Sequence, residues 1–348
     1  MTQKHKALFY RQIKDAVVIC ELCAHGCTIK DGRRGICGVR ENRGGVLETL
    51  VYGQLVAEHI DPIEKKPMFH FLPGSLSYSI STVGCNFRCL HCQNYSISQA
   101  AHMSEAQMAG VRRTPEQVVA AALASGCLSI SYTYVEPTVF FEFAYDCCVL
   151  ARQRGLGNVF VSNGYMSEKA ARMLAPVLSA INIDIKGFSD DFYKKVCGAR
   201  LQPVLDTVRL MKELGVWVEI TTLVIPGLND SEDELRRLAA FIAGVDPAIP
   251  WHVTGFHPMH KMTDRPSTPV RTLRKARQIG LDSGLHFVYE GNVPGEGGEN
   301  TFCPSCREEI VSRFGFSIRS NRMAHSCCPA CGTKIEGFWD QTELAPGR

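Results

Sequence analysis

Between residues 76 and 289, short apolar runs alternate with amphipathic stretches, and this alternation restricts the fold more than any other feature of the chain. The runs at 76–83, 128–134, 159–162, 181–185, 216–224, 251–256 and 285–289 are strand-length and bounded by turn residues. The stretches between them begin as helices do. Thr114-Pro115-Glu116-Gln117 combines an N-cap, a proline at the first helical position and a capping-box glutamine. Ser231-Glu232-Asp233-Glu234 offers a second capping box, ahead of Leu235, Leu238, Ala239 and Ile242 on one helical face. Strand–helix alternation over roughly 200 residues argues for parallel βαβ units, either in an open doubly wound sheet or in a barrel. The pattern alone favours neither.

Cysteine is the second constraint. The chain of 348 residues holds 16 cysteines. It has no apolar run of membrane-spanning length, and Met1-Thr2-Gln3-Lys4-His5-Lys6 lacks the apolar core of a signal peptide, so the cytoplasm is the expected location. Disulfides are rare there, and clustered cysteines read as metal sites. Three clusters stand out: Cys20/Cys23/Cys27/Cys37, Cys85/Cys89/Cys92 and Cys303/Cys306/Cys327/Cys328/Cys331. Cys127, Cys147, Cys148 and Cys197 are scattered and read as small buried hydrophobes. A net charge of +3, with no long basic block, gives no expectation of nucleic acid.

The middle cluster lies in Gly84-Cys85-Asn86-Phe87-Arg88-Cys89-Leu90-His91-Cys92-Gln93-Asn94, directly after a strand-like run. Three soft thiolates on one loop suit an iron–sulfur cluster better than a hard cation. A four-iron cluster held by three cysteines leaves one iron open to a cofactor or substrate. At the C-terminal end, Cys303-Pro304-Ser305-Cys306 and Cys328-Pro329-Ala330-Cys331 form two C-P-x-C knuckles about twenty residues apart, the spacing of a tetrahedral zinc ribbon. Cys327 can replace Cys328 as the fourth ligand, although the C-x2-C register favours Cys328. The N-terminal set Cys20, Cys23, Cys27 and Cys37 can hold zinc or an auxiliary iron–sulfur cluster, and spacing does not decide between them.

In parallel α/β barrels the reactive groups sit where strands end and loops begin. The predicted strand ends carry Tyr134-Val135-Glu136-Pro137-Thr138, Ser162-Asn163-Gly164, Asp184-Ile185-Lys186, Val224-Ile225-Pro226-Gly227-Leu228-Asn229-Asp230 and Phe256-His257-Pro258. Alternation along the strand at 181–185 puts Asn182, Asp184 and Lys186 on one face. Taken singly, Asn163 and His257 read as turn formers or satisfied polar groups.

The cysteine loop with its aromatic Phe87 resembles the signature of radical S-adenosylmethionine (SAM) enzymes. The strand ends resemble those of pyruvate formate-lyase activating enzymes. The segments at 251–262 and 288–294, with the cysteine-bearing ends, look like the radical-SAM member of the three-protein AmmeMemoRadiSam set. The resemblance runs from about residue 15 to 340. It implies a partial (β/α)6 barrel at 71–298, a Cys-rich segment at 1–70 and a zinc-ribbon-like module at 299–348. It also implies a 4Fe-4S cluster on Cys85, Cys89 and Cys92 that cleaves SAM to methionine and a 5′-deoxyadenosyl radical, which then abstracts hydrogen from a substrate. Glu136 would pair with the SAM ammonium and Lys186 with its carboxylate. Asn163 would make polar contacts, Asp184 would hold an ion or a peptide backbone, and His257 would contact the ribose or base. A flavodoxin- or ferredoxin-type reductant and a protein or peptide substrate are expected, with small-molecule chemistry or a non-enzymatic metal-binding adaptor as alternatives. One position departs from the activases: their acidic residue before the Ser/Thr-Asn-Gly run is Val161 here.

Overall fold

A computed structural model describes residues 5–100, 103–108 and 110–344. Residues 1–4, part of the segment read above for a signal peptide, lie outside it. The seven alternating runs join a further strand, Ala57–Pro62, in one eight-stranded sheet. Its strands are Ala57–Pro62 (β1), Leu76–Ser81 (β2), Ser129–Tyr132 (β3), Gly157–Ser162 (β4), Ala180–Asp184 (β5), Trp217–Val224 (β6), Trp251–Gly255 (β7) and Val288–Gly291 (β8). Strand order follows the chain, β2 to β8 pair in parallel, and β1 joins the edge antiparallel to β2. A doubly wound sheet reverses its order at a switch point. This sheet never does, which places it with the partial barrels.

The crossovers are Pro115–Ala124 (α1), Phe141–Gln153 (α2), Glu168–Leu174 (α3), Gln202–Glu213 (α4), Glu232–Val245 (α5) and Val270–Asp282 (α6). The expected start signals operate with one difference. Thr114 and Gln117 form the reciprocal capping box of α1. Ser231 caps α5 by accepting from Glu234 N at 3.3 Å, but the Glu234 side chain accepts from Phe188 N instead of returning to the cap. A long-range donor has taken the half of the box that local sequence assigns to the helix.

The expected boundary near residue 70 cuts through this sheet, because β1 belongs to it. The N-terminal segment also shares the barrel's apolar core through Val18, Leu22, Val39 and Leu47. The C-terminal residues form a separate three-stranded antiparallel sheet, Thr301–Phe302 (β9), Glu309–Phe314 (β10) and Ser317–Asn321 (β11). Its core includes Phe69, Phe287 and Tyr289 from the barrel. Arg313 fixes the junction by donating to Phe69 O at 2.9 Å and to Thr301 Oγ1 at 2.8 Å, with its guanidinium over the Phe69 ring.

Inside the barrel, Glu219 on β6 is fully buried and saturated with donors. It accepts from Phe69 N (3.0 Å), His70 N (2.8 Å) and Trp217 Nε1 (3.1 Å), and its Oε2 lies 2.6 Å from His252 Nε2. Burial opposes its charge, but His252, His70 and the Phe69 amide hold its carboxyl below the usual range. This network fastens the 66–70 loop to the barrel interior. Replacing Glu219 with leucine leaves four buried donors without an acceptor. Urea unfolding of Glu219→Leu is expected to show a loss of about 3–5 kcal/mol.

Candidate active site

The three-cysteine loop follows β2 and contains no regular secondary structure until Tyr95. Gly84 opens it at φ +100°, and a Cβ there would lie 2.6 Å from Val39 Cγ1 and 3.1 Å from the Cys37 carbonyl oxygen. Only glycine satisfies both the left-handed backbone and the close approach. Backbone bonds then pin the loop: Gly84 N to Ile97 O (2.8 Å), Arg88 N to Cys197 O (2.8 Å), Leu90 N to Val196 O (3.0 Å) and Lys261 N to Leu90 O (2.9 Å). Phe87, the aromatic of the motif, is buried edge-on against Tyr165 and Tyr193. It anchors the loop from beneath.

Cys85, Cys89 and Cys92 all line one cavity of about 560 Å³ at the carboxyl ends of the strands. Phe87 N approaches Cys85 Sγ at 3.4 Å, and Ser98 Oγ lies 3.5 Å from Cys92 Sγ. Burial pushes the Cys85 and Cys92 thiols up, and hydrogen bonding to Cys197, then burial, does the same for Cys89. Thiols in such surroundings are held as thiolates by a cationic centre. The three sulfurs, opening together onto a cavity of small-molecule size, suit a polynuclear iron centre with one iron left free for a ligand.

Glu136, Asn163, Asp184 and Lys186 line the same cavity. Glu136 is already engaged within the chain. Its Oε1 accepts from Thr138 N (3.0 Å), Thr138 Oγ1 (2.5 Å) and Ser162 Oγ (2.8 Å), and its Oε2 accepts from Asn163 N (2.7 Å). Burial nevertheless raises its carboxyl above the ordinary range. Asn163 donates to Asn86 Oδ1 at 2.7 Å, so Glu136 and Asn163 together brace the residue beside Cys85. Lys186 Nζ pairs with Asp184 Oδ2 at 2.9 Å. Burial opposes its charge, and Asp184 with the neighbouring thiols outweighs that and lifts its pKa. Asn182 sits on the expected face but one layer deeper, donating to Pro67 O at 2.8 Å.

His257 is not part of this cavity: it is exposed and lies 3.1 Å from Ser267 Oγ. Val161, the departure from the activase pattern, does line it. Two further wall residues, Lys66 and Phe316, lie outside the predicted strand ends, and Tyr134 lies within them. Lys66 pairs with Asp61 at 2.6 Å under the Tyr134 ring, with burial bringing its pKa down to about 8 despite Asp61. Tyr134 donates to the same Asp61 carboxylate. Phe316, at the tip of the β10–β11 hairpin, reaches the cavity from the C-terminal module. A run of Lys65-Lys66-Pro67 ahead of a strand carries no signal for a site, and neither does a turn residue of a distant hairpin.

The C-terminal cysteines form a second centre. The sulfurs of Cys303, Cys306, Cys328 and Cys331 all lie within 4.8 Å of one another, with Cys303–Cys331 and Cys306–Cys328 at 3.6 Å. A tetrahedral ion with thiolates at about 2.3 Å spaces them by roughly 3.8 Å, so these four can hold one metal ion. Cys328 is the fourth member. Cys327 instead makes backbone bridges to Ala324 and Lys334.

Comparison with known proteins agrees with this geometry. Residues 79–239 match the Radical SAM superfamily. An uncharacterised protein of Methanocaldococcus jannaschii is 46% identical over 334 residues, covering 95% of this chain and 98% of that one. The pyruvate formate-lyase-activating enzyme of Clostridium pasteurianum is 25% identical over 220 residues, covering 60% of this chain and 89% of that one. A solved domain of such an enzyme from Bacteroides vulgatus aligns with a TM-score of 0.42 at 19% identity, over 47% of this chain and 99% of that one. The protein thus has a radical SAM domain homologous to those of the activating enzymes. It belongs to one family with the methanogen protein.

Cys328→Ser is expected to lose one equivalent of bound metal by elemental analysis, whereas Cys327→Ser keeps it. Equal losses from both variants would contradict the assignment.

Proposed function

We propose that this protein is a radical SAM enzyme that cleaves SAM reductively and abstracts hydrogen from a protein or peptide, as activases do. The observation that carries the reading is the convergence of Cys85, Cys89 and Cys92 with Asn163, Asp184 and Lys186 on one cavity. A 4Fe-4S cluster on the three thiolates, given one electron by a low-potential flavodoxin- or ferredoxin-type donor, supplies the chemistry: SAM yields methionine and a 5′-deoxyadenosyl radical that takes a hydrogen atom from the substrate.

The chain's own groups bind and position. Lys186 offers a charge-assisted bond to the SAM carboxylate, and Asp184 holds that ammonium in place. Glu136 keeps one oxygen lightly used. It accepts a single bond at Oε2, which leaves acceptor capacity for the SAM ammonium. That Oε2 bond comes from Asn163 N and braces, through Asn163, the loop beside Cys85, while the Oε1 bonds hold Thr138 and Ser162. Val161 and Leu223 add apolar wall that limits water near a reactive species. The exposed Phe314 and Phe316 on the hairpin beside the cavity favour a macromolecular substrate. The segments at 251–262 and 288–294 support the finer reading as the radical-SAM member of the AmmeMemoRadiSam set. Zinc is the metal proposed for Cys303, Cys306, Cys328 and Cys331.

Val161 favours a second reading. With valine where activases carry an acid, the cavity lacks one carboxylate for a cation, and radical chemistry on a small molecule fits that wall as well. Among the described residues no helix is long and apolar enough to cross a membrane.

Anaerobically reconstituted and reduced protein is expected to form 5′-deoxyadenosine from SAM. Cys89→Ala should abolish the product while leaving C-terminal metal content unchanged. Absence of product from fully reconstituted protein would overturn the enzyme reading. Lys186→Met is expected to weaken SAM binding by about 10- to 100-fold, the worth of one charge-assisted hydrogen bond, with the loss read by calorimetric titration. Deuterium passing from a labelled peptide into 5′-deoxyadenosine separates the first reading from the second.

A further inference from the structure

The N-terminal cysteines form a built site that the chemistry above does not use. Cys20 ends the short strand Val18–Cys20, and Cys23, Cys27 and Cys37 follow it at separate points of the segment, yet all four line one small cavity. Its other walls include Leu22, Ile29, Ile36 and Val139. Four cysteines gathered around one apolar chamber are metal ligands rather than packing. The remaining choice is between a single ion and a cluster.

The molecule carries its own standard for a single-ion site. Among the described residues, the C-terminal four are the only group of three or more His, Cys, Asp or Glu ligand atoms drawn within 4.8 Å of one another. No three of the N-terminal sulfurs meet that limit. A tetrahedral ion requires sulfurs roughly 3.8 Å apart. A four-iron cluster gives each iron one thiolate and so spreads the sulfurs around a larger core. The N-terminal set shares this wider spacing with Cys85, Cys89 and Cys92.

The donors around the cavity agree. Arg40 is 1% exposed, lies on the wall and brings Nη1 to 3.7 Å from Cys20 Sγ, and it is paired with Glu142. Arg40 Nε and Asn86 Nδ2 are both buried without a hydrogen-bond partner, and both residues line the chamber. Orphaned buried donors are costly. Beside a cavity ringed by sulfur, they suit a sulfide-bearing, anionic occupant that accepts from them.

Location gives the site a role. Both neighbours of Cys85 touch this segment. A Cβ on Gly84 would meet the Cys37 carbonyl oxygen at 3.1 Å, and Asn86 lines the N-terminal chamber while its carbonyl lies 2.7 Å from His25 Nε2. The segment is also joined to the barrel by Ala24 N to Tyr165 O (3.0 Å) and Ser167 N to Leu22 O (2.9 Å). Ile36, on the chamber wall, is partly exposed to solvent.

We propose that Cys20, Cys23, Cys27 and Cys37 hold a second four-iron cluster, and that it relays single electrons to the centre on Cys85, Cys89 and Cys92. The relay rests on the radical SAM reading, whereas the second cluster stands on the geometry alone. One electron enters from a low-potential donor and reduces this cluster by one unit. The same electron then passes to the Cys85 centre and restores the first to its oxidised state. No bond is made or broken and no proton moves.

Elemental analysis of the unmodified, reconstituted chain decides the site without any variant. The expected content is about eight irons with matching sulfide and one zinc. About four irons with two zincs would overturn the proposal. The triple variant Cys85→Ala/Cys89→Ala/Cys92→Ala should keep about four irons and a reducible electron paramagnetic resonance (EPR) signal that SAM does not perturb. If that variant binds no iron while the unmodified chain's signal responds to SAM, the second cluster is refuted and the radical SAM reading survives. The fully reduced chain should show a spectrum broadened by coupling between two neighbouring spins. A simple sum of the spectra of the triple variant and of Cys20→Ser/Cys23→Ser would contradict the relay.

Discussion

Everything at this site depends on how an irregular loop is held still. The run from Gly84 to Asn94 has no helix or strand to define it, so its shape comes from outside: backbone bonds to Val196, Cys197 and Ile97, and Phe87 wedged between two tyrosines. The close contact of Gly84 with Cys37 and Val39 ties the loop to the N-terminal segment as well. Three thiolates must point to one spot for a cluster to bind, and a loop free to sample other shapes would lose that preorganisation. The partial barrel supplies β2 and the cavity. The surrounding segments supply the rigidity.

This changes the meaning of the carboxylates. From sequence, Glu136 reads as a ligand for the SAM ammonium. Its hydrogen bonds make it first a brace, joining Thr138, Ser162 and Asn163 and through Asn163 reaching Asn86 beside Cys85. Asp184 and Lys186 remain the free-standing charged pair on the wall. The division is physical: three of the four donors on Glu136 sit on Oε1, so that oxygen braces while Oε2 keeps some acceptor capacity, and a salt-bridged lysine still has two donors to spare.

Much of this was legible because parallel sheets carry their chemistry at strand ends. Reading those ends singled out Glu136, Asn163, Asp184 and Lys186, which the fold gathers on one cavity, and the cysteine spacings singled out the three-cysteine loop on that cavity and the four sulfurs gathered at the C-terminal end. The misses share a cause. Lys66 and Phe316 reach the cavity through contacts between elements far apart in the chain. Glu234 left its capping box for a distant amide. His257 follows a strand as expected, but its side chain turns to Ser267 in solvent. Cys327 and Cys328 are adjacent in sequence, and only the closing of the two knuckles on each other separates ligand from neighbour.

The central claim is that the centre on Cys85, Cys89 and Cys92 has an open iron that binds SAM directly. Electron–nuclear double resonance on the reduced protein, with SAM labelled at its amino nitrogen and carboxylate oxygen, tests this most closely. The account predicts hyperfine coupling from both labels, lost when Cys89 is replaced and kept when Cys20 and Cys23 are replaced. SAM that binds yet shows no coupling from either label would contradict it.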